Sequence, residues 1–205
     1  MELETKDFNF WNTVIFADES KFNLFGSDGM AYVWRKPNTE LQRCNIRPTV
    51  KHGGGSVMVW VCMSAAGVGN LVFIESILDK TLNLNILKEN LIQSAEKLGI
   101  RQNFRYYQDN DPKHKASIVQ SWLIWNCTHL MNPPAQSPDM NPIENLWSLL
   151  ENNIRKHRIS NKKQLKSAIL EEWNKIGTEI TKKLVESMPA RLKAVLKGNG
   201  YHTKY

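Results

Sequence analysis

The chain has 205 residues, of which 41% are hydrophobic and 23% charged, and its formal net charge is +7. This length and apolar content allow a sizeable core in one domain with appendages, which argues against intrinsic disorder. No apolar run approaches the roughly 18 residues of a membrane span, and the amino terminus lacks the character of a signal peptide. Three cysteines without paired spacing argue against a disulfide framework. We therefore expect a reducing compartment, the cytosol or the nucleus.

The first predicted elements surround an acid. Residues 13–17 and 21–25 are rich in apolar and aromatic side chains, which predicts two strands joined by a tight connection over residues 18–20. Asp18 lies where the first strand is expected to end. Regular patterning then fades between residues 26 and 55, which predicts a loop-rich insertion. Its cations outnumber its acids, and those singled out as candidate contacts are Arg35, Lys36, Arg43, Arg47 and Lys51.

The middle of the chain alternates strands and helices. The glycines at 53–55 precede a strand and no Gly-Lys-Ser/Thr follows, so they do not indicate a phosphate-binding loop. Leucines at helical spacing predict a helix over 82–98 that ends at a glycine. A short aromatic strand at 104–108 leads directly to Asp109. The remaining predicted elements are strands at 56–63 and 71–74, a hairpin turn at 67–70 and a helix around 116–125.

A proline-rich stretch, residues 132–142, changes abruptly into a strong helix. Asn141 is a favourable N-cap and Pro142 a favourable first helical residue. Glu144 falls in the first turn, where the helix dipole favours an ionised carboxylate. One interpretation is that Glu144 only caps the helix; the other is that it binds a metal. The apolar stripe of this helix comprises Ile143, Leu146, Trp147, Leu150 and Ile154.

Three acids at the ends of rigid elements favour the metal-binding interpretation. Asp18 and Asp109 follow predicted strands, and Glu144 begins a predicted helix. A two-metal site for phosphoryl transfer requires carboxylates from rigid elements that together hold two divalent ions about 4 Å apart. The sequence therefore predicts that these three side chains converge.

The carboxy-terminal quarter is strongly basic. Residues 155–205 contain 13 Lys and Arg against 4 Asp and Glu, whereas residues 1–154 are slightly acidic. Amphipathic patterning predicts helices over 161–176 and 181–196. Basic helices beside an acidic core fit an enzyme that binds a polyanion, although such helices also serve solubility. The cations on the predicted solvent faces are Lys162, Lys163, Lys166, Lys182, Lys183, Arg191, Lys193 and Lys197.

Four motifs carry a family resemblance. They are residues 17–21 (ADESK), 51–60 (KHGGGSVMVW), 108–114 (QDNDPKH) and 136–147 (QSPDMNPIENLW). In this order they resemble the catalytic domain of DDE transposases of the Tc/mariner superfamily. The third acid is glutamate rather than the aspartate of mariner proper, so the chain is similar to the Tc branch.

The resemblance implies a fold and a site. It implies an α/β, RNase H-like domain with a mixed central sheet flanked by helices over residues 1–158, followed by a basic helical carboxy-terminal extension over 159–205. It implies that Asp18, Asp109 and Glu144 are the catalytic residues and hold two Mg²⁺ or Mn²⁺ ions. His114 and Asp111 belong to the same motifs but not to the triad. His114 is a candidate to support a metal ligand. Asp111 is a second such candidate, although an acid at this position more often orders the loop before Pro112.

The resemblance also implies an activity and partners. We expect metal-dependent cleavage and strand transfer of double-stranded DNA in the nucleus, as in DNA transposition and integration. No membrane and no small-molecule cofactor is expected. Segment 26–55 is expected to be a clamp-like loop that reaches DNA and a second copy of the chain in a homodimer. DNA contacts are expected from the cations of this segment and from Lys162, Lys163, Lys182 and Lys183.

One departure from the family pattern leaves an alternative open. Transposases of this superfamily carry amino-terminal helix-turn-helix domains, whereas this sequence starts almost directly at the first catalytic strand. An isolated catalytic domain, a decayed fragment and a misplaced start codon would each give such a sequence. The alternative function is that of a non-catalytic DNA-binding remnant adopted by the host.

Overall fold

A computed structural model describes residues 3, 6–24, 39, 55–131, 133–134 and 137–198 of the protein. Most of the predicted clamp-like loop lies outside these residues, including all five of its candidate cations. The strands in the described part are β1 (Val14–Asn23), β2 (Ser56–Ser64), β3 (Gly67–Ile74), β4 (Arg105–Tyr107) and β5 (His129–Leu130).

The five strands form one mixed sheet in the order β3-β2-β1-β4-β5. β2 pairs antiparallel with β1 and β3, which makes these three long strands a meander. β4 pairs parallel with β1, and β5 pairs parallel with β4. Parallel neighbours require crossover connections, which the helices between them supply. The sheet is the α/β arrangement that the alternating pattern predicts.

Helices cover both faces of the sheet. None of those in the described ranges has the length and hydrophobicity needed to cross a lipid bilayer. A 3₁₀ turn over Pro138–Met140 leads into the helix that carries Glu144. The helices are α1 (Phe8–Asn12), α2 (Lys80–Lys97), α3 (Pro112–Lys115), α4 (Ser117–Asn126), α5 (Ile143–Ile154), α6 (Lys162–Asn174), α7 (Thr178–Glu186) and α8 (Met188–Lys197).

Two hydrophobic cores lie on opposite faces of the sheet. Successive side chains of β1 point to opposite faces, so Phe16 enters one core and Ile15 the other. The core around Phe16 is covered by α5 and by the carboxy-terminal helices, through residues such as Trp147 and Trp173. The core around Ile15 is covered by α2 and α4. Helices α6 to α8 pack into the same hydrophobic core as α5 and therefore belong to the layer of helices on that face of the sheet. The domain boundary at residue 158 stays a prediction.

Two predictions about the strands are wrong. β1 is one continuous strand of ten residues rather than two strands joined at 18–20. β2 pairs with it from Phe16 to Asn23, so the polar residues at 18–20 have ladder partners and do not form a turn. The predicted hairpin turn at 67–70 instead lies within β3. Gly69 suits this position in the strand because a Cβ there would clash with the sulfur of Cys62.

The predicted helix over 181–196 is two helices. α7 ends at Glu186 and α8 begins at Met188, with Ser187 between them. Pro189 cannot donate a backbone hydrogen bond, and it is therefore placed in the first turn of a new helix rather than inside a longer one. The other predicted helices are confirmed, with ends that differ by a few residues.

Candidate active site

The parallel pairing of β1 with β4 brings the two aspartates together. Phe16 is opposite Tyr107 at the end of this pairing, and each chain segment reaches its aspartate two residues later, at Asp18 and Asp109. Side chains two residues apart point to the same face of a strand, so Asp18 follows Phe16 toward α5. Asp109 lies just beyond β4, as predicted, whereas Asp18 lies inside β1.

Glu144 lies in the first turn of α5, as predicted. The cap differs by one residue, because the helix begins at Ile143 and Pro142 is its N-cap. Asn141 still has a capping contact, since its side-chain oxygen accepts a hydrogen bond from the Ile143 N–H at 3.3 Å. The apolar stripe of α5 is buried as the helical spacing predicts, which leaves the Glu144 side chain exposed at the edge of the core.

The three acids line one cavity of about 330 Å³. The structure therefore brings together the residues that the sequence singled out from three distant segments. Among the described residues that line it there is no Lys or Arg, so this part of the wall carries negative charge. Residues that line the cavity are Asp18, Tyr107, Asp109, Asn110, Asp111, Pro133, Pro134, Ser137, Asn141 and Glu144.

Trp147 connects the glutamate helix to the first aspartate. Its indole N–H donates a hydrogen bond to Asp18 Oδ2 at 3.0 Å, while the backbone N–H of Glu19 donates to Asp18 Oδ1 at 2.8 Å. The indole also stacks on Trp173, with ring centroids 6.5 Å apart. Sequence reasoning assigned Trp147 to the core alone. Its position three residues after Glu144, on the same side of a helix, could have indicated a contact with the site.

The second aspartate, Asp109, is hydrogen-bonded to His114. Its Nδ1 lies 2.6 Å from Asp109 Oδ1 and its Nε2 lies 3.2 Å from Glu19 Oε1, with the imidazole buried. The Lys113 ammonium lies 3.4 Å from Glu19 and 2.8 Å from Asp111. Asp111 also caps α3 by accepting a hydrogen bond from the Lys113 N–H. The contacts of Glu19 could not be predicted from the sequence, because Glu19 was expected in a turn. In the structure it is a strand residue next to Asp18, so its side chain points to the opposite face of the sheet.

The electrostatics of the acids differ. Burial raises the pKa of Asp18 to about 7, with a further contribution from the Glu144 carboxylate, against the opposing hydrogen bond from Trp147. Burial and the Asp109 charge raise the pKa of Glu144. The hydrogen bond with His114 lowers the pKa of Asp109. Burial alone would lower the pKa of His114, but its contacts with Asp109 and Glu19 outweigh burial and raise it to about 9.

The donor set fits a hard divalent cation. Carboxylate oxygens are the ligands that Mg²⁺ and Mn²⁺ favour, and the mutual repulsion that contributes to the raised pKa of Asp18 and Glu144 is what a bound cation would relieve. Within the described part of the chain, no group of three or more His, Cys, Asp and Glu side chains is arranged to hold a metal ion. Asp18 and Asp109 are instead engaged by Trp147 and His114.

Four of the candidate DNA-binding residues belong to the described part of the chain, and none of these four is among the residues that line the cavity. Lys162, Lys163, Lys182 and Lys183 are exposed on α6 and α7. The stem of Lys162 packs on Gly55, so closely that a Cβ on the glycine would clash with the lysine Cε. Arg35, Lys36, Arg43, Arg47 and Lys51 lie outside the described residues.

Comparison with known proteins identifies the family. Residues 13–166 match the family model described as DDE superfamily endonuclease. The chain is 43% identical over 195 residues to the transposable element Tc1 transposase of Caenorhabditis elegans, covering 95% of this chain and 71% of that protein. It is 40% identical over 195 residues to the Tcb1 transposase of Caenorhabditis briggsae, with the same coverage.

The fold matches solved structures of the Mos1 mariner transposase. The paired end complex with Mn has a TM-score of 0.79 at 17% identity, covering 95% of this chain and 58% of that one. The Mos1 catalytic domain has a TM-score of 0.70 at 17% identity, covering 96% of this chain and 86% of that one. This similarity confirms the predicted RNase H-like fold, and the family match confirms the resemblance drawn from the four motifs. The chain belongs to the DDE superfamily endonucleases, in the Tc branch of the Tc/mariner transposases.

Proposed function

We propose that this chain cleaves and joins DNA strands at the cavity formed by Asp18, Asp109 and Glu144, as the catalytic domain of a DNA transposase. The observation that supports this most is the convergence of three carboxylates from β1, the end of β4 and the start of α5 on one cavity. Their separate origins on rigid elements suit a site that must hold its geometry while a phosphodiester reacts.

We propose that the three carboxylates hold two Mg²⁺ or Mn²⁺ ions. Mos1 transposase has been crystallised with Mn and with Mg, which supports this choice of metal. Bound there, such ions would activate the attacking oxygen and stabilise the charge that develops on the leaving oxygen. Trp147 holds Asp18 by a hydrogen bond, and His114 holds Asp109 in the same way. The protein's contribution is thus to fix the ligands before DNA arrives.

Double-stranded DNA is the proposed substrate, and the nucleus is the proposed compartment. Solved complexes of Mos1 contain a transposon end, which supports DNA as a partner for a chain with the same fold. We propose that Lys162, Lys163, Lys182 and Lys183 contact phosphates together with the cations of segment 26–55. Leu24 donates a backbone hydrogen bond to Gly55, so the ends of the enclosed segment lie side by side, next to Lys162. A homodimer through the clamp-like loop stays a proposal.

The alternative, a non-catalytic DNA-binding remnant, is not favoured. A remnant released from selection for catalysis has no reason to keep three acids around one cavity together with Trp147 and His114, which hold two of them.

We also propose that the chain divides into a catalytic domain over 1–158 and a basic extension over 159–205. The extension supplies cations on its outer face and core residues on its inner face.

Nicking of supercoiled DNA in the presence of Mg²⁺ or Mn²⁺ tests the proposal. Asp18→Asn, Asp109→Asn and Glu144→Gln should each reduce metal-dependent nicking to background while DNA affinity stays the same or rises, because a negative charge is removed. Glu151→Gln is the matched control: Glu151 is on α5, and its ion pair with Arg155 is exposed. Full activity of Asp109→Asn would refute the site. Absence of nicking by the unmodified chain, under conditions where it binds DNA, would favour the alternative.

A further inference from the structure

Arg191 is a buried cation on α8, with only 2% of its surface exposed. Its Nε donates a hydrogen bond to the Ser187 hydroxyl at 2.8 Å, within its own helix region. Its Nη1 donates to the backbone carbonyl of Asp139 at 3.1 Å, and its Nη2 donates to Asn145 Oδ1. The guanidinium therefore joins the carboxy-terminal helix to two points near the start of α5.

Those two points lie on either side of Glu144. Asp139 belongs to the 3₁₀ turn that precedes α5, and Asn145 directly follows Glu144. Between these two points, Met140 and Ile143 are buried in the core, and the side-chain oxygen of Asn141 accepts a hydrogen bond from the Ile143 N–H. The backbone that carries Glu144 is thus held by apolar burial on its inner side and by Arg191 at both ends.

The contacts of Arg191 point to positioning rather than to packing alone. Replacing a buried charged group together with its partners by apolar residues often leaves a fold as stable as before, so packing alone does not require an arginine at this position. A planar guanidinium does what an apolar group does not, because its fixed fork of donors sets the geometry between several acceptors. Two of its acceptors, on Asp139 and Asn145, flank Glu144 in the chain.

We infer that Arg191 is a positioning residue, which holds the start of α5 so that the Glu144 carboxylate faces Asp18 and Asp109 across the cavity. This inference rests on the proposed function, since it assigns Arg191 a role in the metal affinity of that same site. It does not place Arg191 in contact with DNA or metal.

The test uses metal-dependent stabilisation of the full chain, which needs no catalysis. An ion that binds only the folded state raises the melting temperature, and the midpoint of that rise along the Mg²⁺ or Mn²⁺ concentration reports its affinity. Arg191→Met should shift this midpoint upward by up to about tenfold, the lower end of the range for partners that contact a metal ligand directly, because Arg191 acts only through the segment that carries Glu144. Arg191→Lys should give a smaller shift, because one ammonium cannot reach all three acceptors.

Asn145→Ala is a second variant that tests the same contact while Arg191 itself stays in place. It removes only the acceptor on α5, on an exposed helical residue, and should shift the metal midpoint in the same direction. Lys193→Met on α8 and Asn152→Ala on α5 are exposed matched controls and should leave the midpoint unchanged.

The outcomes separate the two claims. If Arg191→Met and Asn145→Ala lower the metal-free melting temperature but keep the metal midpoint of the unmodified chain, Arg191 is only structural and the inference is overturned. If the unmodified chain itself shows no metal-dependent stabilisation, the proposed metal site fails, and the inference falls with it.

Discussion

Trp147 and Glu144 share one turn of helix, so the element that supplies one carboxylate also supplies the donor that orients another. The Trp147 N–H stabilises the ionised form of Asp18 against the burial that raises its pKa to about 7. Since a metal ligand must be deprotonated, the indole would set the pH above which the proposed metal site can bind an ion.

Trp147→Phe should therefore move the pH dependence of the site. Phenylalanine keeps an aromatic ring between Phe22 and Trp173 but has no donor for Asp18. A hydrogen bond to a charged group contributes roughly 1.5–3 kcal/mol, so the pH midpoint of metal-dependent nicking should rise by about one unit or more. Trp125→Phe is the matched control, because Trp125 is 87% exposed. Equal loss of activity at every pH, with no shift, would contradict this role.

The stability of the metal-free protein should decrease from pH 6 to pH 9. The raised pKa of Asp18 means that the folded state holds its proton more tightly than the unfolded chain, so stability is lost as pH rises toward about 7. The raised pKa of His114 acts in the same direction, because its stabilising charge is lost as pH rises toward about 9. Urea unfolding in EDTA at four pH values measures the trend.

Two comparisons check the cause of this trend. Mg²⁺ should reduce the decline, since it stabilises the ionised acids. Asp18→Asn should reduce the decline below pH 7 and leave the decline above it, which comes from His114. A metal-free stability that is constant or increasing over this range would contradict the raised pKa values of Asp18 and His114.

At the scale of elements, a substitution in α2 should change the stability of the fold without changing the activity of the proposed site. It packs on the face of the sheet away from α5, and its N-cap Asp79 accepts hydrogen bonds from the N–H groups of Thr81 and Leu82 at 3.0 and 2.8 Å. Asp79→Ala should lower the free energy of unfolding by about 1 kcal/mol, the usual value of an N-cap. Nicking at a temperature well below the melting point should be unchanged.

Glu89→Ala is the control for that variant. Glu89 is exposed in the middle of α2, where the same loss of a carboxylate removes no cap. Urea unfolding should give a change of less than about 0.5 kcal/mol, as for most surface substitutions. Equal effects at the two positions would show that charge, and not capping, matters at Asp79.

The two kinds of element differ in how well sequence predicts them. α5 could be predicted closely, because Asn141 and Pro142 indicate its start and a buried stripe runs along its length. β1 could not, because Asp18, Glu19 and Ser20 have the composition of a turn and become a strand only through pairing with β2. The contact of Glu19 with His114 was missed for the same reason. Ladder partners come from distant sequence, which local patterns do not contain.

At the scale of the whole molecule, binding to DNA should depend on charge rather than on base sequence. Affinity of the isolated chain for unrelated duplexes should be about 10⁻⁴ to 10⁻⁶ M at physiological salt and should fall steeply as salt rises. Lys162→Gln/Lys163→Gln should weaken binding to all duplexes alike and reduce the salt slope by about 0.9 for each phosphate that is no longer neutralised. Titrations at several salt concentrations measure both quantities.

A charge-matched control lies on the other side of the sheet. Lys80→Gln/Lys88→Gln removes the same charge from exposed positions of α2 and should change the slope much less. A strong preference for one inverted-repeat end over unrelated duplexes, a hundredfold or so, would indicate base readout and would contradict phosphate contacts as the basis of binding.

The whole site could be anticipated only in part from sequence. Asp18, Asp109 and Glu144 could be singled out from their places beside predicted elements and from the family motifs, whereas the parallel register that brings the two aspartates together is visible only in the structure. Arg191 was grouped with the solvated cations of the carboxy-terminal helices, yet it is buried against the start of α5. The amphipathic pattern of the sequence predicts that Arg191 lies on the solvent-exposed face of its helix. Its hydrogen-bond acceptors become visible only in the packing of α8 against the 3₁₀ turn.

The position of Asp18 inside a paired strand restricts how genes of this family can change in length. Deleting or inserting one codon between Phe16 and Asp18 would turn the carboxylate to the opposite side of the sheet, toward the core of Ile15 and α2. Asp109 follows the last paired residue of its strand, so the chain there can absorb such a change more easily. Among related transposons, length variation should therefore be absent around Asp18 and should accumulate first in the connections between paired strands.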